Sequence, residues 1–309
     1  PAGSLPLTRT VNMDVDLYPI TYGIVAFYGA IMLIGIFTNA AVAFASYQDK
    51  KLRNTCNILI ALASLVDCLH LTGHIVLIYS FASGNLLTNS YTCVWIEFLP
   101  MIGQNSGCVF IVVIAIDRLL ACLFPIWYRR KKTILYIFCH LSGVSLYVSY
   151  HFFNIFSNIY PVDLICMVPS NYLGEAKLNW WFPSLGCSLL SVIVYTIVAI
   201  RIKTANLQGS QIRMFKSLGV IFASVICGNV GTFTLANVFN KYFKGPDFKM
   251  EVLMDLIIGI PVNLSLATNY LVYYATSSEY RRGFKRQISV LTGKSWRKRG
   301  TASVSSLNA

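Results

Sequence analysis

Adjacent Asp117 and Arg118 close an otherwise apolar run that a thiol, Cys93, opens. The run reads C-V-W-I-E-F-L-P-M-I-G-Q-N-S-G-C-V-F-I-V-V-I-A-I-D-R. An acid and a base side by side can hold each other or be released to new partners. A cysteine at the far end can be oxidised to a disulfide in a secretory lumen. Cys93 and Arg118 are 25 residues apart. At roughly 1.5 Å per residue that is about 37 Å of helix, enough to cross a hydrocarbon core of roughly 30 Å. This reads as one rigid rod with sulfur at one membrane face and the charge pair at the other. A third group, Asp67, sits in the middle of another apolar run. A charge at the bilayer centre costs at least about 2.5–3.5 kcal/mol, so Asp67 must face the bundle interior. Asn39, Ser106, Ser265 and Asn269 stand at comparable depths on other runs. Together they form either a structural hydrogen-bond knot or a site that binds Na⁺ or moves a proton.

The elements that position these groups follow from composition. The 309 residues are 56% hydrophobic and only 12% charged, where soluble domains carry about a quarter charged. The apolar runs are long, so helices rather than barrel strands cross the lipid. Seven spans are expected at about 20–46, 55–81, 93–119, 134–157, 179–201, 215–239 and 251–275, following an N-terminal segment 1–19. The fold class is an all-α membrane protein, a seven-transmembrane helix bundle over 20–276. A short amphipathic helix begins the 277–309 tail and suits the bilayer surface; beyond it the Ser- and Lys/Arg-rich remainder reads as disordered. The net charge of +13 reflects loops rather than nucleic-acid binding. Of the 25 basic residues, only Arg9, Lys177, Lys241, Lys244 and Lys249 fall on one side. The positive-inside rule then places the N-terminus outside and the tail in the cytosol. The chain opens on Pro1, which reads as a truncated or processed N-terminus.

That topology puts Cys93 at the outer end of span three and Cys166 in an outer loop. The other cysteines fall within or near spans, so these two form the expected disulfide, with two free thiols as the alternative. The bond would pin the loop over the bundle mouth. Candidate ligand contacts in the outer halves of the spans are Glu97, Gln104, His74, His151, Trp181 and Asp255. Glu97 and Asp255 favour a cationic or hydrogen-bonding ligand. His70 and His140 read as core or lipid-edge residues. No zinc-type H-E-x-x-H motif or Ser/His/Asp arrangement appears, so an enzyme is not expected, and no cofactor beyond the possible Na⁺ at Asp67.

The order of these motifs resembles a rhodopsin-like G-protein-coupled receptor. Asn39 matches the span-one asparagine, and Ala63-Ser64-Leu65-Val66-Asp67 stands where that family has L-A-x-x-D. Cys93 and Cys166 match its outer disulfide. Asp117-Arg118-Leu119 matches D-R-Y with leucine for tyrosine, and Asn269-Tyr270-Leu271-Val272-Tyr273 matches N-P-x-x-Y with tyrosine for proline. Tyr195 fits the span-five tyrosine. Span six lacks C-W-x-P, and Arg213 and Lys216 stand at its foot where an acid is usual. The pattern is most similar to nematode serpentine chemoreceptors of the srsx class.

The resemblance implies a plasma-membrane receptor, extending to the ciliary membrane of sensory neurons. Its partners are an external odorant, small molecule or peptide, a cytosolic heterotrimeric G protein, and membrane lipids. Arg118 would leave Asp117 and reach toward Tyr195 and Tyr273. With no acid at the foot of span six, the inactive lock is expected to rest mainly on Asp117. The rival readings are a transporter or channel using Asp67 as a midplane ion site, and a scaffold without a ligand.

Overall fold

The computed structural model describes residues 17–49, 52–204, 210–242 and 248–292, without the side chains at 210–218, 221, 222, 240 and 291. Expectations for residues 1–16, the far tail, and the side chains of Arg213 and Lys216 lie outside those described residues. The long helices are α1 (Pro19–Gln48), α2 (Thr55–Ser83), α4 (Phe98–Leu123), α6 (Thr133–Asn158), α7 (Glu175–Thr204), α8 (Ser210–Tyr242) and α9 (Phe248–Thr276). Shorter ones are α3 (Ser90–Ile96), α5 (Pro125–Arg130) and α10 (Ser278–Leu291). Six of the long helices are long and apolar enough to cross a membrane, and Ala223–Phe239 within α8 is a shorter apolar stretch.

Local chemistry sets the ends. Pro19 opens α1, where its missing N–H costs nothing. Asn54 caps α2 by accepting from the Asn57 N–H at 3.0 Å. Ser277 caps α10 through the Tyr280 N–H at 3.3 Å.

The expected single rod over 93–119 is instead two helices. α3 stops at Ile96, α4 starts at Phe98, and Glu97 sits between them at φ −87° and ψ 8°. The cause is Pro100. It cannot donate to the Ile96 carbonyl one turn back, and its ring crowds that carbonyl. The chain bridges the break with bonds from Glu97 N–H to Cys93 O at 2.8 Å and from Met101 N–H to Glu97 O at 2.9 Å.

α4 is central and packs on α2, α6 and α7. Its approach to α2 requires Gly103, where a Cβ would lie 2.3 Å from the His70 nitrogen. Gly228 does the same for α8 against α9: a Cβ there would meet Ser265 Oγ at 2.6 Å and Pro261 O at 2.9 Å. At one end, strands β1 (Leu87–Asn89) and β2 (Asp163–Ile165) pair antiparallel, Leu87 opposite Ile165 and Asn89 opposite Asp163. This small ladder adds to the helical expectation. The Cys93–Cys166 disulfide joins α3 to the segment that follows β2. Asn105 Nδ2 donates to Tyr172 OH at 2.7 Å and ties α4 to the same segment.

At the other end α10 docks by its aromatic face rather than only lying on lipid. Tyr280 and Phe284 are buried in the largest apolar cluster with Tyr195 and Tyr273. Tyr280 OH meets Ser46 Oγ at 2.8 Å, and Arg282 pairs with Asp49 at 3.0 Å.

Candidate functional site

A cavity of about 630 Å³ opens beneath the β1–β2 ladder and runs inward between the helices. That volume is in the range of small-molecule sites. Its upper wall includes the segment from Tyr160 to Leu173 that the disulfide holds in place. Gln104, His74, Trp181 and Asp255 all line it. Trp181 stands edge-on to Phe233 at 4.5 Å, and Trp180 stacks on Tyr172 at 4.7 Å. Glu251 and Lys177 join Asp255 in the lining. Gln104 Oε1 is buried without a hydrogen-bond partner among the described residues.

Glu97 and His151 are different. Neither lines the cavity. The break at Pro100 turns Glu97 behind the wall, where Oε2 would lie 2.7 Å from a Cβ at Gly73. His151 is boxed by Tyr147 at 4.5 Å and Tyr150 at 5.1 Å. Both are fully buried, and neither borders the cavity that their depth suggested they would face.

His70, expected in the core or at the lipid edge, lines the cavity. Asp67, His70 and His74 are spaced i, i+3 and i+7, one face of α2. That spacing was visible in the sequence and identifies His70. His74 Nε2–H donates to Asn263 Oδ1 at 2.8 Å. Tyr28 lies 4.7 Å from the His74 ring and donates to Leu256 O at 2.6 Å, joining α1 to α9.

The cavity floor reaches Asp67, Asn269 and Tyr273. Asn269 Nδ2 lies 3.2 Å from Asp67 Oδ2 and 3.3 Å from Asn39 Oδ1. Asn39 Nδ2 in turn donates to the carbonyls of Gly35 at 2.9 Å and Leu266 at 3.1 Å. Asp67, Asn39 and Asn269 therefore form one network across α1, α2 and α9. Ser265 is turned away and donates to Val262 O at 2.7 Å. Ser106 is buried, and among the described residues no hydrogen bond joins it to Asp67.

At the opposite end of α4 the charge pair is closed by a third residue. Arg118 Nε donates to Asp117 Oδ2 at 2.9 Å, and its Nη2 contacts the same oxygen. Arg118 Nη2 also donates to Tyr128 OH at 2.9 Å. Tyr128 OH donates to Asp117 Oδ1 at 2.7 Å. Burial raises the Tyr128 phenol above its ordinary range. The Lys131 ammonium lies 3.1 Å from the Tyr128 ring centroid and 4.1 Å from that of Tyr136. Arg118 is thus held by both Asp117 and Tyr128, not by Asp117 alone. Pro125 opens α5 directly after the α4 end, and Tyr128 lies on that short helix. Tyr195 and Tyr273 are buried in the apolar cluster beside this knot.

A bundle of membrane-crossing helices with a cavity at one end and a buried Asp-Arg pair at the other has the architecture of a G-protein-coupled receptor. The family model of the serpentine type 7TM GPCR chemoreceptor Srsx matches residues 32–288, and the chain belongs to that family. It is similar to somatostatin receptor type 5 of Rattus norvegicus, 20% identical over 86% of this chain and 77% of that receptor. It is also similar to neuropeptide Y receptor type 1 of Xenopus laevis, 22% identical over 89% of this chain and 83% of that one. Melanin-concentrating hormone receptor 1 of Mus musculus is 29% identical over 47% of this chain and 41% of its own length. The protein is a multi-pass membrane receptor and not an enzyme, and the transporter reading is not favoured.

Proposed function

We propose that this receptor binds an external ligand in the disulfide-roofed cavity and passes the signal along α4 to a heterotrimeric G protein at the Asp117-Arg118-Tyr128 end. The observation that carries this reading is that α4 lines the cavity through Gly103, Gln104, Gly107 and Cys108 and ends on the charge knot. A ligand that fits one arrangement of α4 better than another biases the two-state bundle. In the active state Arg118 leaves Asp117 and Tyr128 and turns toward Tyr195 and Tyr273. The basic-residue distribution supports an outside N-terminus and a cytosolic tail in the plasma membrane. The same orientation holds if the receptor works in the cilia of sensory neurons.

The ligand class is an apolar-bodied amine or hydrogen-bonding molecule. Glu251 and Asp255 against Lys177 leave the mouth net acidic among these three, Trp180 and Trp181 offer faces to a cation, and Gln104 Oε1 awaits a donor. A peptide amine meets the same chemistry, and one relative is named for neuropeptide Y. Deeper, the Asp67 carboxylate and the unpartnered Asn269 Oδ1 are hard oxygen donors that suit Na⁺. The test is nucleotide exchange on a G protein, with the receptor challenged by a panel of odorants, amines and peptides. Arg118→Ala should abolish the stimulated exchange while ligand binding persists. Exchange retained in that variant would remove the transduction role.

A further inference from the structure

A second cavity, also about 630 Å³, opens on the outer surface of the bundle where α10 meets α1 and α2. Ala40, Ala41 and Ala43 line it together with Phe37, Phe44, Leu65 and Val290. The slot is apolar. Gln287, at its edge, turns its amide back to donate to Ala41 O at 3.0 Å. Tyr47 lines the end of the slot nearest the α1 terminus. There Arg53 donates to the Tyr47 carbonyl from Nε at 3.1 Å and Nη2 at 2.8 Å, with its guanidinium 5.5 Å from the Tyr47 ring. Arg286 is exposed on α10 one turn before Val290 and so flanks the same slot. Among the described residues no carboxylate pairs with Arg53 or Arg286, whereas neighbouring Arg282 pairs with Asp49.

We propose that this groove is a binding site for an anionic phospholipid, with one acyl chain in the alanine-lined slot and the phosphate beside Arg53. Arg286 adds attraction from the flank. The slot lies on the outer face of membrane-crossing helices, so hydrocarbon covers it, and the two cations at its rim select the headgroup. They also argue against a second copy of the chain. A two-fold contact through this patch repeats the same surface on both partners and would set the arginines of one copy against those of the other.

The test uses the full chain in nanodiscs of phosphatidylcholine containing a minor fraction of phosphatidylserine, read by native mass spectrometry after gentle release. The expected result is one retained phosphatidylserine per receptor, favoured over phosphatidylcholine on the order of tenfold. Ala40→Phe fills the slot and should remove the bound lipid. Arg53→Gln with Arg286→Gln leaves the slot intact and should lower phosphatidylserine retention to the phosphatidylcholine level. If Ala40→Phe does not fold, the arginine variant decides alone, since its changes are at the surface. Equal retention of both lipids by the unaltered chain would overturn the proposal, as would retention that the arginine changes leave untouched. Displacement of the lipid by inorganic phosphate alone would remove the acyl-chain site, and a dimer that Ala40→Phe dissolves would assign the groove to a second copy.

Discussion

The two ends of α4 handle polar groups in opposite ways. At the disulfide end the helix borders a cavity in which Gln104 Oε1 has no partner among the described residues and acids stand open to the space. At the other end Asp117, Arg118 and Tyr128 close on one another, each oxygen of Asp117 taken. An unpaired buried polar atom costs up to about 1–3 kcal/mol, so in the proposed mechanism the first end gains by accepting a ligand that donates to it. The second end loses by being opened. Under that proposal, signalling requires the gain at one end to exceed the loss at the other.

Each end can be broken separately. The largest effect should come from Cys166→Ser, which frees the roof of the cavity. Loss of the bond should cost about 2–5 kcal/mol, read as a lowered unfolding temperature with loss of ligand binding. A variant that binds and melts like the unaltered chain would detach the roof from the cavity's function. Next is Tyr128→Phe, which keeps the ring under Lys131 but removes the hydroxyl from both Asp117 and Arg118. With hydrogen bonds to charged groups worth about 1.5–3 kcal/mol each, basal G-protein activation should rise by at least about tenfold. Unchanged basal exchange would leave Asp117 as the lock by itself.

Smaller changes sharpen the contrast within the disulfide end. Asp255→Asn with Glu251→Gln should weaken binding of an amine ligand up to about fivefold per charge, in line with exposed ion pairs. Equal binding of the amine by the doubly neutral variant would remove the cationic ligand class. Glu97→Gln should change ligand affinity by no more than about twofold, as expected away from the site. A larger shift in a competition assay would return Glu97 to the ligand set.

What the sequence made legible was what depends on local chemistry. Asp117 and Arg118 are neighbours, the spans follow from apolar length, and the cysteine pair follows from the side of the membrane on which each thiol falls. The ligand set was harder because depth along a span does not fix direction. Glu97 and His151 are at suitable depths, yet Pro100 turns one aside and a ring of tyrosines encloses the other. His70 faces the cavity by the helical phase of Asp67 and His74, a regularity that was present in the residues. Tyr128 was hidden for another reason: its partners lie ten and eleven residues back, across the α4–α5 turn. Periodicity within one helix carries no information about a contact folded over its end.

The interruption at Glu97 has a mechanical meaning. Sulfur tethers α3, while Arg118 rides on α4, and between them one residue lies outside both helices. Two backbone bonds cross that residue, so the tethered piece and the piece carrying Arg118 stay aligned, and Pro100 fixes where along the rod the seam between them falls.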